Sequence, residues 1–206
     1  MQSRKHWETV YTTKSVDAVS WYQPHAEQSL RLISETRVPL SASIIDVGGG
    51  ASTLADDLLE AGYSDLTVLD LSASALASAR KRMGSKSEKV KWMEADILEA
   101  KLPPHAFDVW HDRAVFHFLT SPEQRRIYVE TVLRAVKPGG HVIVATFATD
   151  GPLQCSGLPV MRYDPEGLHA EFGEPFTLLG HQKEEHHTPS GSIQKFIYCY
   201  CRKNAS

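Results

Sequence analysis

One short stretch constrains the fold of this chain more than any other. The apolar run Ile44–Val47 contains Asp46 and is followed at once by the glycines 48–50. Apolar residues then return with the spacing of a helix that packs on a sheet, at Leu54, Leu58 and Ala61. The pattern predicts a strand, a tight turn and a helix. Glycines let a ligand approach the backbone closely, and a helix N-terminus presents unpaired N–H groups, so the stretch predicts a site for a nucleotide-like ligand.

Strand and helix patterns alternate along the rest of the chain. Strands are predicted at about 43–47, 66–70, 90–93, 107–110, 141–147, 176–183 and 193–201, and helices at about 22–36, from the glycine turn to 61, and at 72–83, 122–136 and 164–172. Residues 152–159 have the composition of a loop. Apolar strands that alternate with helices are typical of a parallel sheet covered on both faces.

The last two predicted strands have only a short connection, so they are expected to pair antiparallel. The expected fold class is therefore α/β: a doubly wound, Rossmann-like parallel sheet of seven strands with an antiparallel C-terminal hairpin at its edge. In such sheets, ligands bind at the carboxyl ends of the strands.

Length and charge restrict the class of protein. The chain has 206 residues and predicts one domain. Its net charge of -3 gives no reason to expect a nucleic-acid partner, and its apolar runs are too short to predict a membrane span. We expect no signal peptide, and the small number of cysteines, three, favours the cytoplasm. We also expect a monomer or a weak homodimer.

Three acids follow three successive strands of the predicted sheet, namely Asp46, Asp70 and Asp96. Asp70 lies 70 − 46 = 24 positions after Asp46, near the spacing at which an acid reaches a ribose hydroxyl pair. Its alternative role is a helix N-terminal charge before Ser72, which can cap the next helix. Asp96 is placed to accept from an adenine amino group, or else is a solvated turn residue.

The glycine turn departs from the dinucleotide-binding fingerprint. The third glycine of G-x-G-x-x-G is absent, and an acid stands two residues before Gly48. A carboxylate there would repel a pyrophosphate, but it could hold an ammonium group. Both departures favour a ligand that has an amino-acid portion and no phosphate.

With these motifs, the chain resembles the class I S-adenosylmethionine-dependent methyltransferases over about residues 40–147. The motifs that carry the resemblance are Asp46–Gly50, Val68–Asp70, Ala95–Asp96, Phe107–Asp112 and Leu133–Gly140. Many family members have a third glycine where this chain has Ser52, a small residue that should be tolerated. The resemblance implies that S-adenosylmethionine is the methyl donor and S-adenosylhomocysteine the product.

The resemblance also implies roles for individual residues. Asp46 would reach the methionine ammonium group, and Gly48 and Gly50 would contact the methionine and ribose portions. The remaining donor contacts would come from Trp21, Asp70 with Leu71, Asp96 with Ile97, and His111.

The methyl acceptor is harder to predict. Residues 111–118 follow the fourth strand, where the family places substrate contacts, and either His111 or His117 could act as a base. Alternatively, His111 only lines the donor site and His117 packs against a helix. Arg162 and Tyr163 follow the fifth strand and could bind a polar acceptor, with Tyr163 as a third catalytic candidate, although a surface arginine is the plainer interpretation.

The histidines and cysteines do not predict a metal site. His181, His186 and His187 lack an i, i+4 pair on a helix, and Cys155 stands alone in a predicted loop. Cys199 and Cys201 are two apart on a strand, so they share a face and are interpreted as packing residues.

The segment before the core is aromatic, with Trp7, Tyr11, Trp21 and Tyr22 among polar residues that do not form an ordinary helix stripe. We expect residues 1–39 to form a lid and a helix and residues 40–206 the donor-binding core; alternatively, the aromatic side chains pack the first helix onto the sheet. The aromatic layout is similar to that of some protein-lysine methyltransferases. We expect methyl transfer to a small molecule; the alternatives are a protein-lysine methyltransferase and a non-catalytic donor-binding module.

Overall fold

A computed structural model describes residues 4–205, and its centre is one twisted sheet. The long strands are β1 (Ser43–Val47), β2 (Asp65–Asp70), β3 (Val90–Glu94), β4 (Phe107–Arg113), β5 (Val136–Ala148), β9 (Phe176–His187) and β10 (Ile193–Lys203). Their order is β3-β2-β1-β4-β5-β10-β9, with β10 antiparallel to both neighbours. The predicted α/β class, with a mostly parallel sheet and an antiparallel edge hairpin, is confirmed; the sheet has eight strands rather than the predicted seven, because a two-residue strand also pairs with β5.

Short strands and helices complete the fold. The strand β8 (Arg162–Tyr163) adds to β5, while β6 (Gln154–Cys155) and β7 (Leu158–Pro159) form a separate two-stranded ribbon. The helices are α1 (Arg4–Thr13), α2 (Glu27–Glu35), α3 (Leu54–Glu60), α4 (Ala73–Met83), α5 (Pro122–Ala135) and α6 (Pro165–Phe172), with single 3₁₀ segments at Val16–Ala18, Gly84–Lys89 and Phe116–Phe118. Within residues 4–205, no helix is both long and apolar enough to cross a bilayer.

Local chemistry explains where several helices begin. The Ser72 hydroxyl accepts a hydrogen bond from the Ala75 amide at 3.1 Å, as expected of the cap before α4. Pro122 is the first residue of α5, where its missing N–H costs nothing. The carboxylate of Asp164 caps α6 by accepting from the Gly167 amide at 2.7 Å.

Four local predictions needed correction. Residues 4–13 form α1, because Trp7 and Tyr11 lie one turn apart and present one aromatic face, although polar residues surround them. Strand β5 begins at Val136 rather than 141, directly after α5. The edge hairpin is longer than predicted, and its connection shrinks to residues 188–192. The predicted loop at 152–159 contains the β6–β7 ribbon.

The sheet separates two apolar layers. One contains Trp110, Phe116, Tyr128 and Phe172, and the other contains Leu32, Ile33, Phe147 and Phe196. The strand order reverses at β1, which pairs with β2 on one side and β4 on the other. In open α/β sheets, the crevice beyond the carboxyl ends of the strands at such a reversal is the usual ligand site.

Candidate functional site

The glycine turn after β1 has a backbone that other residues adopt poorly. Gly48 and Gly50 have φ values of +70° and +40°. A Cβ at position 48 would collide with the Val115 side chain, and one at position 50 would lie 2.6 Å from Asp70 Oδ2. The turn therefore brings the backbone close to the acid after β2 and to the loop after β4.

Two adjoining cavities open around this turn. The first encloses about 710 Å³, its solvent-filled mouth included, and the second about 550 Å³ on the same measure. Gly48 and Arg113 line both cavities, together with Tyr11 and Trp21 from the N-terminal segment. The two cavities therefore meet at the carboxyl ends of β1 and β4.

Asp70 lies in the wall of the first cavity with its side chain almost fully buried. Its Oδ1 accepts a hydrogen bond from the Ser72 amide at 2.7 Å, and its Oδ2 faces the glycine turn. Burial raises the pKa of this carboxyl to about 7, and the nearby charges of Asp46 and Glu8 add to the rise. Leu71, Ala95 and Ile97 form an apolar wall beside it.

Asp46 lies in the wall of the second cavity and is held by His111. These residues are register partners on β1 and β4, and His111 Nδ1 lies 2.7 Å from Asp46 Oδ1. The other ring nitrogen, Nε2, lies 2.8 Å from the Ser29 hydroxyl of α2. Both nitrogens of the buried imidazole are therefore occupied.

Arg113 is a buried cation that lines both cavities and that sequence reasoning did not single out. Its Nε and NH2 groups bond Glu184 on β9, and Nε also donates to the Tyr198 hydroxyl at 3.0 Å. Its guanidinium lies 4.1 Å from the centre of the Phe196 ring. A signal was available: Arg113 follows His111 by two positions, so on a strand both side chains leave the same face.

Aromatic rings form another wall of the first cavity. Trp7 packs edge-on against Trp21 and Phe118, with ring centres 5.8 and 5.2 Å apart. The Trp21 indole N–H donates to the Tyr11 hydroxyl at 3.1 Å. We call Trp7, Tyr11, Trp21 and Phe118 the aromatic wall.

Helix α1 carries half of this wall and is tied to the core by polar contacts. Glu8 accepts from the Ser74 hydroxyl at 2.5 Å and from the Ser74 amide at 3.3 Å, at the N-terminus of α4. Arg4 forms an ion pair with Glu94 at the end of β3. Of residues 1–39, where a lid and a helix are predicted, residues 1–3 lie outside the described part of the chain.

Several predicted site residues lie elsewhere. His117 is fully buried between Phe118 and Phe147, lines neither cavity and has a pKa lowered to about 3 by burial. Tyr163 also lines neither cavity; it packs on Phe116, and its hydroxyl donates to Glu171 at 3.2 Å. Each side chain points from its strand or turn into the apolar core, and the roles of His117 and Tyr163 at the acceptor site stay predictions.

Of the other predicted site residues, some line a cavity and some do not. Trp21, Leu71 and Ile97 line the first cavity. Gly50 and Asp96 line neither cavity, and Asp96 Oδ1 accepts from the Leu98 amide at 2.9 Å within its own turn. Arg162 donates to the Gly151 carbonyl rather than into a cavity.

The cysteines are all buried thiols. Cys155 lines the first cavity, and burial raises its pKa to about 12. Cys199 and Cys201 share a strand face in the core with their sulfurs 3.5 Å apart. Residues 4–205 contain no cluster of three or more histidine, cysteine or acidic side chains placed to hold a metal ion.

The lining residues fit an adenosyl ligand with an amino-acid end. The glycine turn leaves space that a Cβ would fill, and Asp70 presents a carboxylate oxygen beside it. The apolar side chains after β2 and β3 offer a surface for a planar base. Asp46 and Arg113 supply opposite charges in the second cavity, as a group with an ammonium and a carboxylate requires.

Comparisons with known proteins agree with this geometry. Residues 44–140 match a family described as a methyltransferase domain. Human EEF1A lysine methyltransferase 2 is 25% identical over 209 residues, which cover 93% of this chain and 79% of that protein. The ubiquinone/menaquinone biosynthesis C-methyltransferase UbiE of Roseobacter denitrificans is 27% identical over 133 residues, which cover 63% of this chain and 46% of that protein.

The same fold occurs in a solved structure that concerns the conversion of a disulfide bond into a thioacetal group during echinomycin biosynthesis. The TM-score is 0.78 at 17% identity, and the match covers 98% of this chain and 93% of the other. The sequence motifs, the sheet order and the family match support S-adenosylmethionine-dependent methyltransferase activity: over residues 44–140, the chain is similar to the methyltransferase domain of the class I enzymes.

Proposed function

We propose that this enzyme transfers a methyl group from S-adenosylmethionine to a small acceptor with an apolar or aromatic body. The observation that carries the proposal is the aromatic wall, which lines the same cavity as Asp70 and Gly48. Rings packed edge to face would offer an acceptor a large apolar contact, and they would keep water from the place where the methyl group is transferred.

The donor would lie across both cavities. Asp70 would accept from the ribose hydroxyls, and Leu71 and Ile97 would pack on the adenine. Asp46, oriented by His111, would take the ammonium group in the second cavity. Bound there, the donor supplies a methyl group attached to a positively charged sulfur.

The side chains around the aromatic wall favour positioning over proton removal. Burial raises the pKa of Cys155 to about 12 and raises that of Tyr11 further, so neither group is ionised near neutral pH. Among residues 4–205, Asp70 is the one acid that lines the first cavity, and the donor would occupy it. The acceptor should therefore bring its own lone pair, as a thiol or a weakly basic amine does, and the enzyme would hold it close and aligned.

Helix α1 would act as the lid over donor and acceptor. It places Trp7 and Tyr11 in the cavity wall, and Glu8 ties it to α4, which begins three residues after Asp70. Opening this contact would expose the first cavity, and closing it would complete the aromatic wall. Donor binding and lid closure would therefore assist each other.

A protein lysine is the second candidate acceptor, because the human lysine methyltransferase matches 93% of this chain. The lining favours the small molecule instead. A lysine ammonium entering the first cavity would meet the cation of Arg113, and the one acid in that lining is Asp70. A neutral acceptor avoids both the repulsion and the cost of burying a second cation.

A labelling experiment separates the two candidates. The enzyme is incubated with methyl-labelled donor and a cell extract, and label is then counted in the metabolite and protein fractions. The proposal expects label in metabolites that depends on Phe118, so Phe118→Ala should lower it while leaving S-adenosylhomocysteine affinity within about twofold. Trp92→Ala, which alters a half-buried tryptophan outside both cavities, is the matched control. Label that enters a protein band would instead favour the lysine acceptor.

A further inference from the structure

The Tyr11 hydroxyl keeps an unused hydrogen-bond donor where the two cavities meet. Tyr11 lines both cavities, and its oxygen accepts from the Trp21 indole N–H at 3.1 Å. Within residues 4–205, the hydroxyl donates no hydrogen bond of its own. An indole N–H can only donate, so the contact with Trp21 uses a lone pair of the tyrosine oxygen and leaves the phenolic proton free. That proton can therefore be donated to a bound molecule.

The donor, placed as proposed above, has other partners for its polar groups. Asp70 takes the ribose hydroxyls, and the opposite charges of Asp46 and Arg113 serve the amino-acid end. The donor spans both cavities, so its positively charged sulfur lies near their junction, and a sulfonium is a poor hydrogen-bond acceptor. Burial raises the pKa of Tyr11, and the nearby charge of Asp70 adds to the rise, so the hydroxyl keeps its proton. The methyl acceptor is then the molecule that receives the hydrogen bond.

The charges around Tyr11 favour a negatively charged acceptor atom. Arg113 lines the same cavity, and its charge opposes the rise in the pKa of Cys155 that burial causes, so it acts on a sulfur in the cavity wall. The donor adds a second positive charge at the place of methyl transfer. A hydrogen bond to an ionised acceptor is about twice as strong as one between neutral groups. Tyr11 therefore stabilises an anion at the cavity junction better than a neutral atom.

The attacking atom must accept from Tyr11 and also supply the electron pair that reaches the methyl carbon. An amine nitrogen has one lone pair, and a hydrogen bond from Tyr11 would occupy it. An alcohol or phenol oxygen has enough lone pairs, but it stays protonated near neutral pH, and neither Tyr11 nor Cys155 is ionised to act as its base. A thiol ionises at about pH 8.5 in water, and the thiolate has lone pairs for both contacts.

We propose that the acceptor is a thiol, that Tyr11 donates a hydrogen bond to its thiolate sulfur, and that Trp21 is a positioning residue for Tyr11. The thiol proton goes to solvent. A bond forms between the thiolate sulfur and the methyl carbon while the bond from that carbon to the donor sulfur breaks. The electron pair of the broken bond stays on the donor sulfur, so the products are a methyl thioether and S-adenosylhomocysteine. This inference rests on the proposed small apolar acceptor and names its chemical class.

Thiophenol, phenol and aniline test the proposal, because they share one ring and differ in the attacking atom; phenylmethanethiol adds an alkyl thiol. Turnover is measured as S-adenosylhomocysteine formed. Tyr11→Phe should lower kcat/KM for both thiols about 10- to 100-fold, while S-adenosylhomocysteine affinity stays within about threefold and any turnover of aniline is not lowered. Tyr200→Phe is the matched control, because the Tyr200 hydroxyl also has one partner, His141 at 2.9 Å, and Tyr200 lines neither cavity.

The role of Trp21 is tested through Tyr11. Trp21→Phe keeps a ring but loses the N–H, and it should lower kcat/KM for thiophenol in the wild type much more than in the Tyr11→Phe background. Equal losses in both backgrounds would indicate a purely structural tryptophan and would overturn the positioning role.

The other outcomes separate this inference from the proposed function. Turnover of aniline but of neither thiol, lowered by Phe118→Ala and not by Tyr11→Phe, would keep the small aromatic acceptor and overturn the thiol. A large loss of S-adenosylhomocysteine affinity in Tyr11→Phe would assign the hydroxyl to the donor and overturn its role at the acceptor. Label in a protein band, with no turnover of either thiol, would overturn both proposals.

Discussion

Replacing Asp70 by asparagine should stabilise the donor-free protein while it weakens donor binding. The carboxyl is buried beside the glycine turn, and its charge lies near those of Asp46 and Glu8. An asparagine can keep the contact with the Ser72 amide through its carbonyl oxygen, but it carries no charge to desolvate. The substitution therefore removes a cost that the native carboxylate imposes on folding.

The size of this cost follows from the pKa. The folded protein holds Asp70 with a pKa of about 7 instead of the ordinary 3.8. Between these values the folded state binds more protons than the unfolded state, so stability falls as pH rises from about 4 to about 7. From about pH 4.5 to about pH 7.5, the wild-type protein should lose roughly 3 kcal/mol relative to Asp70→Asn, on a scale of about 1.4 kcal/mol for each pKa unit.

Urea unfolding of both proteins across this pH range measures the difference directly. Because the other titrating groups are common to both proteins, their contributions largely cancel in the subtraction. Asp65→Asn, at the opposite end of β2, is the matched control. Hydrogen bonding from Lys91 lowers the pKa of Asp65. The contribution of Asp65 to the free energy of unfolding is therefore fully present above the ordinary pKa range of aspartate, and it should stay nearly constant between about pH 4.5 and about pH 7.5. Parallel curves for wild type and Asp70→Asn would refute the reasoning from burial.

Asp70→Asn should weaken donor binding although it stabilises the fold. Losing the charged acceptor of the ribose hydroxyls should weaken S-adenosylhomocysteine about 10- to 100-fold. In the wild-type protein, affinity should also fall as pH drops below about 7, because the ligand must then expel a proton from Asp70. Calorimetry at several pH values checks both effects, and a pH-independent affinity in the wild type would contradict the ribose assignment.

Three further predictions concern other parts of the site. His117→Leu should leave turnover intact and, because burial lowers the histidine's pKa to about 3, should remove the loss of stability that the wild type shows as pH falls below about 6.5, measured by thermal unfolding. Gly48→Ala should lower both Tm and donor affinity, and adding Val115→Ala should restore only part of the Tm, since φ stays at +70°. Glu8→Ala should release α1 from Ser74, and it should therefore lower the methyl-transfer rate while changing Tm only slightly. A variant that unfolds would instead indicate that α1 belongs to the core.

Much of the donor site could be predicted from the sequence, because the patterns that mark it involve only neighbouring residues. Asp46 is the last residue but one of β1, Asp70 is the last residue of β2, and Gly48 follows β1 directly, so the positions could be placed along the chain before any packing was known. Ser72 as a helix cap is equally local. Asp96 shows the limit of such signals, because the sequence left two roles open, an adenine contact and a turn residue, and only the structure shows its carboxylate accepting from the Leu98 amide within its own turn.

Other parts of the site depended on contacts between distant parts of the chain. Arg113 and Glu184 pair across 71 positions, and Ser29 meets His111 across 82. Neither pairing leaves a periodic signal, because each partner only has to face the same cavity from a different element. Tyr163 illustrates the same limit, since the sequence placed it after the fifth strand and only the packing of β8 on β5 turned its ring into the core.

The sequence by itself determined the order of strands and helices, the glycine turn and the acids at the strand ends, because apolar periodicity, backbone freedom and capping act over a few neighbouring residues. Tertiary structure alone decided which buried groups meet: the register that sets Asp46 beside His111, the edge hairpin that brings Glu184 to Arg113, and the docking of α1 that completes the aromatic wall. These contacts arise when separate elements share one buried volume, and no local pattern specifies that volume.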